Sequence, residues 1–157
     1  MKKAILPLLV ILLVCAAVLS ASSQEQNVSD GRTLGIGIQA DFPWGGLVSA
    51  RYWVSPSFGL EETAFVGGDA SGLEGVLTTR ALYRVADAST VDFYLAAGAT
   101  LPFSPFGGDP LVFSLVGGIE FGFVAARNLA WNLEFGVTLT TAGSLSMCLG
   151  TGVHFYF

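Results

Sequence analysis

The sequence predicts an all-β fold: an eight-stranded, antiparallel, up-and-down transmembrane β-barrel after a cleaved signal peptide. Three observations carry this. The first is alternation. Read back in steps of two, the C-terminal stretch gives Phe157, Phe155, Val153, Thr151, Leu149, Met147 and Leu145, against Tyr156, His154, Gly152, Gly150, Cys148 and Ser146. One set is dominated by large apolar side chains and the other is mostly small or polar, the period-two signature of a strand with two unlike faces. The second is composition. Of 157 residues, 52% are hydrophobic and only 12% charged, with a mean hydropathy of +0.64. A soluble domain carries about 25% charged residues. The third is that the apolar content does not come in long runs, except at the N-terminus. Helical spans need about 20 consecutive apolar residues each. Apolar content delivered by alternation fits a barrel in a membrane.

The N-terminus reads as a secretory signal peptide over residues 1–23. Lys2 and Lys3 form the charged start, residues 4–19 the apolar core, and Ser20, Ala21, Ser22 and Ser23 the small residues for cleavage. Cys15 falls in the apolar core and is lost with it, so Cys148 remains without a partner for a disulfide. Residues 24–32 are polar and read as a flexible lead-in. The barrel is expected over residues 33–157.

The first strand is expected over 33–41, with Leu34, Ile36, Ile38 and Ala40 opposite Gly35, Gly37, Gln39 and Asp41. The second, over 47–54, sets Val48, Ala50, Tyr52 and Val54 against Ser49, Arg51 and Trp53. The third, over 58–66, breaks the pattern at the adjacent Glu61 and Glu62. Plain alternation puts one of these acids on the apolar side, so a bulge that turns both inward is expected. The fourth, over 73–85, places Leu77, Thr79, Ala81, Tyr83 and Val85 outside and Glu74, Thr78, Arg80 and Arg84 inside. The fifth begins at Val91, with Phe93, Leu95, Ala97 and Ala99 outside and Asp92, Tyr94, Ala96 and Gly98 inside, before a Pro-rich loop over 102–110. The sixth, over 111–123, puts Phe113, Leu115, Ile119 and Phe121 against Ser114, Val116, Gly118 and Glu120. The seventh, over 129–139, puts Trp131, Leu133, Phe135 and Val137 against Asn132, Glu134, Gly136 and Thr138. The eighth is the terminal stretch. Tight turns near 55–57, 86–90 and 125–128 belong to one end of the barrel, and the segments near 42–46, 67–72, 102–110 and 142–144 to the other.

The chain is similar to the small eight-stranded outer-membrane barrels of the OmpA/OmpX type. The signal peptide, the alternation from Thr33 to the end, the short alternate turns and the terminal Gly152-Val153-His154-Phe155-Tyr156-Phe157 carry the resemblance. It spans nearly all of the mature chain, and it is one of pattern. It implies the bacterial outer membrane as location, outer-membrane lipid and the barrel insertion machinery as partners, and Val153, Phe155 and Phe157 as an assembly signal. Adhesins of this kind usually carry long external loops, and the loops here are short, which argues against adhesion. A monomer is expected.

The interior of an eight-stranded barrel is just wide enough for side chains to fill it. The inward set predicts a network of ion pairs: Arg51, Glu61, Arg80, Arg84, Asp92, Glu120 and Glu134. Counting about the turns sets Arg51 opposite Glu61, Arg84 opposite Asp92, and Glu120 opposite Glu134. Two facing carboxylates need a cation between them, and Arg80 is the expected one. Inward glycines (35, 37, 98, 118, 136, 150 and 152) are expected to make room for the long arginines. Tyr52, Tyr83, Phe123, Trp131 and Phe157 read as interfacial aromatics, and Phe103 and Phe106 as residues of an exposed loop that dips into the membrane interface.

These observations exclude several classes. No basic patch marks a nucleic-acid binder, because the net charge is −5. One His and one mature Cys are too few for a zinc site, and no cofactor is expected. No catalytic residues are assigned: Glu120 and Glu134 read as structural carboxylates, and His154, with Ser114 and Ser146 the inward serines considered beside it, as lining of the interior. The expectation is a non-enzymatic outer-membrane barrel with a plugged interior and a structural, envelope-integrity role. The alternatives are a narrow pore for water or small solutes, and a lipid-modifying outer-membrane enzyme.

Overall fold

The computed structural model describes residues 33–43, 45–69, 72–88, 90–104 and 110–157. The expected signal peptide and lead-in, and Phe106, lie outside the described residues. Eight strands follow one another: β1 (Leu34–Phe42), β2 (Val48–Trp53), β3 (Phe58–Asp69), β4 (Gly72–Ala88), β5 (Val91–Phe103), β6 (Val112–Phe123), β7 (Ala126–Thr140) and β8 (Leu145–Tyr156). Each pairs antiparallel with the next. The barrel closes where β8 pairs with β1, from Gly35 opposite Tyr156 to Phe42 opposite Leu149. Closure leaves no strand edge to template another chain.

Alternation makes the two faces of this sheet, and the sheet is inside out. Ile38 and Leu115 are 58% and 56% exposed on the outer wall, while Arg51 and Glu61 are 0% and 1% exposed inside. A globule that buries apolar surface from water does the reverse. The expected faces of β1 and of β5 to β8 hold along their lengths.

The turns are tighter than the sequence predicts. β4 runs to Ala88 and β7 starts at Ala126, so two connections at one end shrink to a couple of residues. That end also holds the 54–57 turn, where the Phe58 amide donates to Ser55 Oγ at 3.0 Å. Both ends of the barrel chain lie there too, joined by the Phe157 amide donating to Leu34 O at 2.9 Å. At the opposite end, Gly143 takes a φ of 85° in the β7–β8 turn, a conformation that side chains with a Cβ disfavour.

Four expectations are corrected. Strand β3 has no bulge: it pairs without a register break with β2, and with β4 from Phe58 opposite Tyr83 to Asp69 opposite Gly72. Glu61 therefore points in and Glu62 out, where Thr79 Oγ1 donates to Glu62 Oε2 at 2.9 Å. The register shifts fall elsewhere, between Arg84 and Ala86 against β5 and between Gly122 and Phe123 against β7. Second, the Pro-rich loop is shorter, because β5 continues through Pro102 to a half-buried Phe103, which is thus no loop residue. Third, Tyr52 is buried at 8% exposure, unlike Tyr83, Phe123, Trp131 and Phe157, which are exposed on the outer wall. Fourth, Glu74, expected inside, is exposed near the end of the barrel remote from the termini.

Candidate functional site: an ion-pair network closing the interior

Glycines build this site by standing between the residues that meet. Gly118 is the cross-strand partner of both Tyr94 on β5 and Glu134 on β7. With no Cβ in the way, Tyr94 lies over Gly118 and its Oη donates to Glu134 Oε1 at 2.6 Å. Gly152 stands in the same way between Gln39 and Asn132, and Asn132 Nδ2 donates to Gln39 Oε1 at 3.0 Å. Gly37 stands between Ser49 and His154, whose Oγ and Nε2 are 2.8 Å apart. Neighbouring strands lie about 4.8 Å apart. A side chain beside an inward glycine can thus reach the strand after next, and the small interior is spanned in two such steps.

Glu61 is the centre of the network. Its register partner on β2 is Arg51 and on β4 is Arg80. Each arginine takes a different oxygen: Arg51 Nη2 lies 2.8 Å from Oε1, and Arg80 Nε donates to Oε2 at 2.9 Å. The arginines then reach across to the far wall. Arg51 Nη1 lies 2.6 Å from Glu120 Oε2, and Arg80 Nη1 lies 2.6 Å from Glu134 Oε2. Tyr156 Oη also donates to Glu120 Oε2, at 2.9 Å. Tyr94 sits between the two halves. Its hydroxyl accepts from Arg51 Nη2 at 3.3 Å and from Asn132 Nδ2 at 3.0 Å, and its ring lies 4.9 Å from the Arg51 guanidinium carbon. Charge-assisted bonds of this kind are short and strong, and together they satisfy charges whose burial would otherwise be costly.

Arg84 and Asp92 form a separate pair nearer the chain termini, at 3.4 Å. Arg84 also stacks over the Trp53 ring at 4.2 Å and donates to Pro56 O at 3.0 Å. In register Arg84 faces Tyr94 rather than Asp92, because β4 shifts register just beyond it; the long side chain still reaches the acid.

All seven interior residues named from the sequence thus take part in ion pairs, but only one of the three expected facing pairs, Arg51 with Glu61, holds in register. Glu120 faces Asn132, and Glu134 faces Gly118, so the two acids are not opposite each other. The tight 124–125 turn and the shift at Gly122/Phe123 displace them. Arg80 consequently does not bridge Glu120 and Glu134. It bridges Glu61 and Glu134, and Arg51 serves Glu120. The room beside the inward glycines goes largely to Tyr94, Tyr156 and Gln39 rather than to arginines. These three, with Ser49 and Asn132, are network members that sequence reasoning missed as such. Their inward parity was legible; their partners, two strands away, needed both flanking registers.

The serine that meets His154 is Ser49, not Ser114 or Ser146. Ser49 Oγ also donates to Glu61 Oε1, at 3.3 Å. A nucleophile triad sets its acid on the second ring nitrogen of the histidine and its serine within reach of substrate. Here Glu61 lies on the serine side, 3.7 Å from His154 Nε2; Nδ1 has no partner among the described residues, and both Ser49 and His154 are 0% exposed. The arrangement ties β8 to β2 and β3 across Gly37, with Ser49 and His154 both closed off from solvent.

Beyond the network, towards the end remote from the termini, lies a cavity of about 20 Å³ lined by Thr78, Thr100, Ser114, Thr138 and Cys148, with Arg80 and Glu134 also against it. It is room for one or two waters. A larger cleft of about 780 Å³ is lined mostly by outward residues such as Phe42, Ile119, Leu133, Phe135 and Leu149, and so belongs to the outer wall. No protein-family model matches the chain, and no curated protein matches it in sequence.

Proposed function

We propose that the chain is an outer-membrane β-barrel, without enzymatic activity, whose interior is closed by its ion-pair network and whose role is structural, in the integrity of the envelope. The observation that carries this is the inverted barrel: Phe113, Leu115, Phe135, Met147 and Leu149 stand on the outer wall between 46% and 65% exposed, while Arg51, Arg80, Glu61, Glu120 and Glu134 are buried. An apolar band of this kind is stable against lipid and unfavourable against water. The signal peptide over 1–23 supplies the route of export, and the outward Val153, Phe155 and Phe157 at the end of the last strand supply the recognition signal for insertion.

The network favours the closed reading over a pore, since its side chains cross the interior from β2 and β4 to β6 and β7. The test is cell fractionation joined to gel mobility. The mature chain should pellet with the outer membrane, resist extraction until detergent dissolves the bilayer, and run faster unheated than boiled. Recovery as a soluble monomer without detergent would overturn the reading.

A further inference from the structure

We propose that the outer wall around Glu62 is a lateral docking surface for a second membrane-spanning protein that presents a basic side chain, lysine or arginine, at mid-depth. This rests on the membrane reading. The outward row of β3 is Phe58, Leu60, Glu62, Ala64 and Val66. Four residues of strand cover about 13 Å, so Glu62 lies near the middle of an apolar band about 25 Å tall. Its side-chain partner among the described residues is the Thr79 hydroxyl. An ionisable group at that depth pairs with another group or faces a polar cavity, and Glu62 faces away from the interior.

The surroundings fit a protein better than lipid alone. In register, Glu62 is flanked by Ala50 and Thr79, with Ala99 beyond. Ala81 and Ala97 lie one outward step away, opposite each other. These short side chains leave a low shelf around the carboxyl, of the kind that lets two membrane-embedded backbones approach closely. Charge complementarity names the partner. Arg51, Arg80 and Arg84 are buried inside this barrel, and Arg127 is exposed at the turn end of β7. Among its described residues, a second copy of the chain therefore brings no basic group to the level of Glu62, and a different protein is the occupant.

The probe is a pair of synthetic apolar transmembrane peptides, identical except for a central Lys or Leu, each carrying a fluorescent acceptor. The barrel is folded into phosphatidylcholine vesicles, and energy transfer from its tryptophans is followed as peptide is added. The Lys peptide should associate at least tenfold more tightly than the Leu peptide. Glu62→Leu, which places an apolar side chain on an apolar wall, should fold and lose that preference; Glu62→Lys should prefer a peptide with central Glu. Equal association of both peptides with the wild type, no association of either, or a preference that survives Glu62→Leu would each overturn the proposal. So would barrel–barrel energy transfer that Glu62→Leu abolishes, which would make a second copy the occupant. Failure of the membrane reading is seen separately and earlier: the chain would not float with the vesicles before any peptide is added, and the proposal would fall with it.

Discussion

At the scale of single residues, the interior is held together by charges that share partners. Glu61 receives Arg51 on one oxygen and Arg80 on the other, and each arginine continues to a second glutamate. Such a network is sound only while every member is satisfied. Arg80→Ala removes a partner from Glu61 and from Glu134 together. Removing one side of a buried pair costs about 3–5 kcal/mol, so its urea midpoint in detergent should fall sharply. Arg84→Ala should cost less, because its carboxylates, Asp92 and the exposed Asp87, lie near the end of the barrel at longer distances; a loss as large as that of Arg80→Ala would refute the central place given to Glu61. Tyr94→Phe keeps the ring and deletes the hydroxyl that joins Glu134, Arg51 and Asn132. It should cost about 1–3 kcal/mol, the penalty for leaving buried polar groups unpaired. Unchanged stability would show that the hydroxyl is dispensable.

At the scale of strands, inward glycines decide which side chains meet. A Cβ on Gly118 would strike the Tyr94 ring, whereas one on the neighbouring outward Gly117 would find only Leu95 Cδ2, at 4.0 Å. Gly118→Ala should therefore destabilise the barrel by about 1–3 kcal/mol, as overpacking does, and Gly117→Ala should leave it unchanged in the same unfolding experiment. The last strand carries a second prediction. Phe155 and Phe157 stand together on the outer wall, ring centroids 5.1 Å apart. Replacing Phe157 with Ser should slow insertion and leave unfolded chain in the periplasm, seen as a lower heat-modifiable fraction. The strand scale also shows what the sequence could reveal. Period two assigned the faces of β6, β7 and β8 residue by residue, because a one-residue slip would expose every charge. Counting across 55–57 set Arg51 opposite Glu61 as found, but the counts across 86–90 and 125–128 missed the register. Counting across 125–128 paired Glu120 with Glu134, but a shorter turn and a register shift moved the partner to Asn132. The bulge expected near Glu61 is absent for a different reason: β3 keeps an unbroken ladder with both neighbours, and the outward Glu62 takes a hydrogen bond from Thr79. Contacts across a glycine, such as Ser49 to His154, stayed hidden because two registers must be known before they appear.

At the scale of the whole molecule, one closed sheet separates two environments of opposite kind. Its outer wall is apolar, and its inner wall holds acids and arginines that cross the interior and fill it. On the proposed membrane reading, such a barrel has no continuous path for water. Single-channel recording in planar bilayers tests it most directly. The wild type should show no steady conductance. Arg80→Ala, which removes the bridge between Glu61 and Glu134, should show openings that prefer cations, because the interior then keeps Glu61, Glu120 and Glu134 with one fewer arginine. Steady currents from the wild type, unaltered by Arg80→Ala, would contradict the closed interior and establish the pore.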